Sequence, residues 1–483
     1  MVDLLLVNPQ EDYGEVSKLA AVEPPLWAAL TAAYVQERGF EVAIEDAHAE
    51  GLTIPGTAES IAAANPKLCY IIVLGHNPTV ASTPKMTAVT KLVKALRAEA
   101  PQVVTAVGGL HPSALPERTL RETGADYVIQ GEGFEAVAEL IAAIDCADYD
   151  CVIPGVWHLK HNGAVTYGGL APLLDPDELP TPAWVLLPPL KQYRCHNWHS
   201  FTNSMKRSPY AVIWTSLGCP YNCEFCNVAA LYGNRAGIRY RDYLDVADEV
   251  AALASRGVRN FKILDEMFAF EENRVVEVCN AIAALGYKDL NIWAYGRADR
   301  CGMEMLKAMR AAGIQWLCIG FESAVERVRR GVSKKFLQED MKDSVERCHE
   351  AGINVLGNFL FGLPGDDLGT MRETLDTAKR LDLDWANFYC NMPYPGSALY
   401  ERAKWNKAKL PKRWADWGQY SPCLMPLATQ YVSGEEVVRF RDQAFAEFFG
   451  DEAFLKRTEA KFGQKARAHV EGMLKVKIDR RGR

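Results

Sequence analysis

Short apolar runs alternate with helix-period stretches along most of this chain, and that alternation leaves few folds open. Parallel strands need long crossovers, and a helix on the face of the sheet is the ordinary crossover. In the first third, strand patterns fall at Asp3–Val7, Phe40–Asp46, Leu68–Leu74, Val103–Val107 and Asp126–Ile129. Helical patterns lie between them at Leu26–Arg38, closed by Gly39, at Met86–Glu99 and at Glu135–Ile144. These predict a Rossmann-like, doubly wound parallel sheet over residues 1–150. From Tyr210 the rhythm returns, with strands expected at Val212–Leu217, Asn260–Leu264, Asn291–Tyr295, Trp316–Gly320, Asn354–Phe361 and Trp385–Cys390. Six such units predict an open, partial (β/α)6 TIM barrel over residues 209–402. Residues 151–208 read as a linker, with a hairpin about Asn162-Gly163 and a strap carrying Pro172, Pro176, Pro180, Pro182, Pro188 and Pro189. Residues 403–483 read as a small, mainly helical region on the substrate side, ending in a basic, frayed tail from Lys475.

Both α/β arrangements place ligands at the carboxyl ends of their strands. The first barrel strand runs into Gly218-Cys219-Pro220-Tyr221-Asn222-Cys223-Glu224-Phe225-Cys226, a C-x-x-x-C-x-x-C loop. Three thiolates on one loop can hold three irons of a [4Fe–4S] cluster, leaving the fourth iron open to a small ligand. Cys279, Cys301, Cys318, Cys348 and Cys390 lack ligand spacing and read as core thiols. Cys195-His196 and His199 have no second ligand pair at zinc spacing. The other barrel strand ends carry Asp265-Glu266, Arg297, Glu322 and Gly362-Leu363-Pro364-Gly365-Asp366. Taken singly, Glu322 reads equally as a helix cap, Arg297 as a partner of Asp299 or Glu266, and the Gly362 loop as a structural turn.

The net charge of -7 argues against a nucleic-acid surface. No apolar run reaches the length of a membrane span and no leader pattern opens the chain, so the expected setting is cytoplasmic. Thirteen cysteines then read as thiols and metal ligands in a reducing compartment.

The cysteine spacing, with Phe225 before the last cysteine, resembles that of the radical S-adenosylmethionine enzymes. The resemblance implies that Cys219, Cys223 and Cys226 bind the cluster and that S-adenosylmethionine chelates the open iron. It further implies that the backbone at Phe225 contacts the adenine and that Arg297 and Glu322 take the polar ends and ribose. About the first 145 residues resemble the cobalamin-binding domain that precedes many of these enzymes, on Pro24-Pro25-Leu26, Val107-Gly108-Gly109-Leu110-His111-Pro112 and Gly131-Glu132-Gly133. Cobalamin contacts are accordingly expected at Asn8, Pro9, His76, Asn77, Thr79, Gly108, Gly109, His111, Gly131, Glu132 and Gly133. Asp46-Ala47-His48-Ala49-Glu50-Gly51 reads D-x-H-x-x-G, by which some cobalamin proteins ligate cobalt. There the motif follows the first strand, whereas here it follows the second. Cobalamin is therefore expected without a histidine ligand, and His48 as an ordinary strand-end residue.

Together the two domains resemble the class B radical S-adenosylmethionine methyltransferases. That implies methylation of an unactivated carbon of a small molecule through methylcobalamin and a 5′-deoxyadenosyl radical, with a flavodoxin- or ferredoxin-type reductant. The resemblance demands no acid–base residue, and the sequence identifies none. A cobalamin-dependent cyclase or ring-rearranging enzyme, and a non-catalytic cobalamin or iron–sulfur sensor, are the alternative readings.

Overall fold

The computed structural model describes residues 2–10, 19–75, 77–160, 162–235 and 237–480. The first sheet is built from β1 (Leu4–Asn8), β2 (Val42–Asp46), β3 (Leu68–Val73), β4 (Val104–Gly109), β5 (Tyr127–Ile129), β6 (Val156–Leu159) and β7 (Val165–Tyr167), in the order β2-β1-β3-β4-β5-β6-β7. Strands β1 and β3 are buried along their whole length, which is why Leu4-Leu5-Leu6-Val7 and Leu68–Val73 read as unbroken apolar runs rather than alternating ones. The helix Leu26–Gln36 is buried from Leu26 to Val35, with Trp27 stacked on Phe134 at 5.1 Å.

Two features depart from the sequence reading. The hairpin placed in the linker is the antiparallel edge of this sheet, β6 pairing with β5 and β7 with β6. The helix expected from Met86 starts at Pro78 and runs through Pro84 to Glu99. Proline is favoured in a first helical turn, whereas Pro84 lies inside the helix and takes one hydrogen bond from its ladder.

The second sheet comprises β8 (Tyr210–Ile213), β11 (Asn260–Ile263), β12 (Asn291–Gly296), β13 (Ile314–Glu322), β14 (Asn354–Phe361) and β15 (Trp385–Cys390). All are parallel, in the order β15-β14-β13-β12-β11-β8, which is the open barrel. The single strand expected over Val212–Leu217 is broken. Asp265 captures Thr215 N–H at 2.7 Å and the Ser216 hydroxyl at 2.7 Å, diverting the chain into β9 (Ser216–Leu217), which pairs with β10 (Arg239–Tyr240) as a separate antiparallel ribbon.

The linker packs tightly instead of spanning open space. Ala183 N–H bonds to Ala29 O, Trp184 Nε1 donates to Glu249, and Trp198 sits among Trp293 and Trp316 inside the barrel. Among the described residues four helices follow the last barrel strand, Ala398–Trp405, Gly434–Phe449, Glu452–Phe462 and Gln464–Met473, the second opened by a Ser433–Glu436 capping box. Beyond them the tail is anchored rather than frayed: Arg480 forks onto Asp442 at 2.9 and 3.0 Å and donates to Ser421 O at 2.6 Å. Among the described residues, no helix is long and apolar enough to cross a membrane.

Candidate active site

The cysteine loop leaves β9 at Gly218, whose φ of +95° and close approach to Gly237 O, 2.5 Å from an added Cβ, exclude a side chain. Its far end is held by Glu224 N–H on Val332 O and by Leu399 N–H on Glu224 O. Phe225 packs into a small apolar cluster with Val328, Val332 and Leu363, which draws the Gly362–Asp366 turn against the loop. Cys219, Cys223 and Cys226 are free and half-buried. Burial raises the Cys219 thiol and pushes Cys226 up to about 12, so these sulfurs hold protons until a metal displaces them. The cations Arg297 and Lys334 act on Cys223, an arrangement that offsets thiolate charge. Among the described residues no three His, Cys, Asp or Glu side chains converge on one metal ion. A cubane with one iron per thiolate asks for three separated corners instead of one shared point, and three thiols on a single loop fit it.

Glu322, at the end of β13, is 7% exposed and has a φ of +62°. A left-handed conformation at a glutamate is strained, and such strain gathers at functional positions. Its Oε1 accepts from Lys334 Nζ at 3.0 Å, a partner the sequence reading missed. A Cβ added at Gly320 would run into the Glu322 carboxylate and lie 2.9 Å from Lys334 Nζ, so a side chain there would push this pair aside. Arg297 pairs with Asp299 at 2.9 Å, donates to Lys335 O at 2.7 Å and stacks 3.8 Å from the Tyr221 ring centroid. It does not pair with Glu266. That carboxylate accepts from Tyr232 Oη at 2.5 Å and from Gly218 N–H at 3.1 Å, and burial raises it to about 7.

The edge of the first sheet faces this loop. Thr79, in the first turn of the helix Pro78–Glu99, lies beside the Cys226 sulfur, where its hydroxyl works against the burial that raises the thiol. Asn8 bridges Asp46 at 2.7 Å and Lys85 at 2.7 Å, and Tyr193 also donates to Asp46. A cavity of about 840 Å³, open space at its mouth included, lies between the two sheets, lined by Asn8, Glu23, His48, Lys85, Leu231 and Glu266 among others. His48, read as a plain strand-end residue, thus borders it. Glu23 was missed altogether. From just before Pro24-Pro25 it reaches into the barrel, where it pairs with the fully buried Lys262 at 2.9 Å and accepts from Tyr210 Oη at 3.1 Å.

Other expected contacts have partners of their own. A Cβ at Gly108 would strike Tyr70, one at Gly109 the Val73 backbone, and one at Gly133 the side chain of Ile129, so these glycines answer to packing. Gly131 N–H bonds to Ser113 Oγ at 2.9 Å. Glu132 is ion-paired with Arg239 of β10 and accepts from Leu174 N–H at 3.2 Å, tying sheet, linker and cysteine loop together. His111 is sealed between Thr83 and the Trp414 ring, and burial pulls its ring down to about 3. Pro9 is buried just after β1, Asn77 lines a second cavity inside the barrel, and His76 lies outside the described residues. The cavity between the sheets is bordered by both strand-end edges, with amide, carboxylate and ammonium groups on an apolar wall, and so marks where a ligand held by the first sheet would meet the barrel.

Comparison with known proteins agrees with this geometry. The B12 binding domain matches residues 16–141, and the Radical SAM superfamily matches residues 215–378. The chain is 28% identical over 452 residues to an uncharacterised methyltransferase of Pyrococcus horikoshii, covering 93% of each. It is 25% identical to the anaerobic magnesium-protoporphyrin IX monomethyl ester cyclase of Rubrivivax gelatinosus, over 98% of this chain and 82% of the other. Among solved structures, the methyltransferase TsrM from Kitasatospora setae, with cobalamin and a [4Fe–4S] cluster bound, shares the fold with a TM-score of 0.69 at 21% identity, over 94% of this chain and 90% of that one. With its B12-binding sheet set against the cysteine loop of a radical SAM barrel, the chain belongs to the cobalamin-dependent radical S-adenosylmethionine enzymes, with a [4Fe–4S] cluster, S-adenosylmethionine and cobalamin as cofactors.

Proposed function

We propose that this enzyme is a C-methyltransferase acting on an unactivated carbon of a small molecule. The observation that carries the reading is the shared cavity: the edge of the B12-binding sheet, through Asn8 and Lys85, and the barrel, through Glu266 and Glu23, face the same space beside the cysteine loop. When bound, the cluster with S-adenosylmethionine supplies a carbon-centred radical, and cobalamin supplies a methyl carrier. The chain's own residues hold these parts in register and keep water out. Cys219, Cys223 and Cys226 hold the cluster, while Glu322 and Arg297 present a carboxylate and a guanidinium to the polar ends of S-adenosylmethionine. The backbone at Phe225 lies along the adenine. Thr79 of the B12-binding domain lies beside the Cys226 sulfur, so the two cofactor edges are neighbours. Relatives named as a cytidylyl-2-hydroxyethylphosphonate methyltransferase and a tryptophan 2-C-methyltransferase support the methyl-transfer reading. Electrons come from a flavodoxin- or ferredoxin-type donor in the cytoplasm.

The second reading is a cyclase without net methylation, favoured by the 98% coverage of this chain in the alignment with the Rubrivivax gelatinosus cyclase. Anaerobic enzyme with its cluster reconstituted, given S-adenosylmethionine and a strong reductant with and without hydroxocobalamin, separates the two. S-Adenosylhomocysteine formed only when cobalamin is present supports methyl transfer. 5′-Deoxyadenosine alone, with cobalamin unchanged, rejects it and leaves the cyclase.

A further inference from the structure

A second cavity, about 1800 Å³ including its open mouth, lies inside the barrel where the sheet fails to close beyond β15. Its wall is largely aromatic, with Trp293 and Tyr295 on β12, Trp385 and Tyr389 on β15, and Phe445 on the helix Gly434–Phe449. Flat side chains in such number favour a flat ring body over a branched or strongly hydrated one.

The wall also carries polar groups, among them Asn358 on β14, Asn387 on β15, Arg441 on the helix Gly434–Phe449 and Lys477 in the tail. Asn387 Nδ2 donates to Asn358 Oδ1 at 3.0 Å, and Asn358 Nδ2 to Cys318 Sγ at 3.0 Å, which fixes both amides by their outward bonds. Asn387 Oδ1 accepts no hydrogen bond among the described residues, leaving an acceptor for an N–H or O–H group. Arg441 lines the same cavity and is 5% exposed. Its Nε donates to Phe388 O and its Nη1 to Asp442, while Nη2 makes no hydrogen bond among the described residues. Asp442 is shared with Arg480, so two guanidiniums meet one carboxylate at this end and the balance is positive.

The opening is bounded by the chain's own tail. From Val476 the backbone is extended, with Val476, Ile478 and Arg480 half-buried and Lys477 and Asp479 exposed. Val476, Lys477 and Ile478 line the cavity, and the Arg480 fork onto Asp442 holds the segment in place.

Deepening the small-molecule reading above, on which it rests, we propose that this cavity takes a substrate with a flat, mostly apolar ring body, a donor N–H or O–H facing Asn387 and an acidic group anchored at Arg441, and that the tail Val476–Arg480 closes over it. The test is equilibrium dialysis of the full chain, loaded with cluster and cobalamin, against anilinonaphthalenesulfonate and its uncharged counterpart N-phenylnaphthylamine. The charged dye should bind about tenfold more tightly, the worth of one charge-assisted hydrogen bond. Arg441→Met should erase that preference. Asn387→Ala, which keeps the cation, should weaken both dyes alike, and deletion of residues 476–483 should weaken both while leaving the preference. Equal affinity for the two dyes, a preference that survives Arg441→Met, or binding unchanged by the tail deletion each overturns the proposal. Dialysis needs neither S-adenosylmethionine nor reductant, so its outcome stands apart from whether methyl transfer occurs.

Discussion

Replacing Glu322 by Gln tests the binding half of the site with almost no change of shape. The carboxylate is 7% exposed and paired at 3.0 Å with Lys334, whose side chain is 9% exposed. Two separate losses follow. Lys334 is left as a buried, uncompensated charge, which costs about 3–5 kcal/mol when one partner of a buried pair is removed. Unfolding should therefore occur several degrees lower. If Glu322 also receives the ammonium of S-adenosylmethionine, one charged hydrogen bond worth about 1.5–3 kcal/mol is lost as well, or roughly tenfold to a hundredfold in Kd. Isothermal titration of the cluster-loaded protein reads the second loss, and a thermal melt the first. Gly320→Ala is the companion, because its Cβ would collide with the same carboxylate while leaving its charge intact. It should weaken S-adenosylmethionine by less, because the carboxylate and the ammonium are side-chain ends that can shift aside. A Kd within twofold of wild type for a folded Glu322→Gln protein would show that Glu322 serves only Lys334, and the strain at φ +62° would need another cause.

Other consequences are open to the same treatment. Thr79→Val removes the hydroxyl beside the Cys226 sulfur, so the cluster should assemble but show a more negative midpoint potential in a redox titration followed by electron paramagnetic resonance; an unchanged potential would separate the B12-binding edge from the cluster. His48→Ala should leave the spectrum of bound cob(II)alamin without nitrogen hyperfine splitting, as in wild type, whereas a splitting present in wild type and lost in the variant would make His48 the cobalt ligand. Burial alone would raise Asp384, but hydrogen bonds from His349 and Lys461 outweigh it and hold its carboxyl below the ordinary 3.8. A depressed folded value stabilises above the unfolded pKa and is lost as pH falls through the folded one, so the Tm advantage of wild type over Asp384→Asn should persist near neutrality and shrink below about pH 4. A pH-independent difference would assign the effect to packing.

Much of the architecture could be read from the sequence because buried parallel strands are unbroken apolar runs and their crossovers have helical period. The reading failed where a distant residue decides the local geometry. Asp265 breaks the strand expected over Val212–Leu217 by capturing Thr215 and Ser216 from 50 and 49 residues away. The hairpin about Asn162-Gly163 was recognised as a hairpin, but nothing in its own residues announces that Val156 will pair with Ile129. In the site, the three cysteines are legible because one loop carries them all. Lys334 follows Glu322 by 12 positions and has no periodic or turn signal. Glu23 and Lys262, 239 residues apart, carry no mark of their pairing beyond a carboxylate set before two prolines. Glycines at strand ends were the most ambiguous letters, since Gly108 and Gly133 avoid collisions with neighbouring side chains that the sequence does not place beside them.

The central claim is that both cofactor edges serve one methyl transfer. Its most direct measurement uses S-adenosylmethionine with a deuterated methyl group, a strong reductant, hydroxocobalamin and a ring-bearing acid found to bind the barrel cavity, with the products read by mass spectrometry. The account predicts a product heavier by a labelled methyl, with S-adenosylhomocysteine and 5′-deoxyadenosine formed in equal amounts, and no labelled product when Cys223→Ala enzyme replaces wild type. A consumed substrate carrying no label, with 5′-deoxyadenosine still produced, would contradict it and make the enzyme a cyclase.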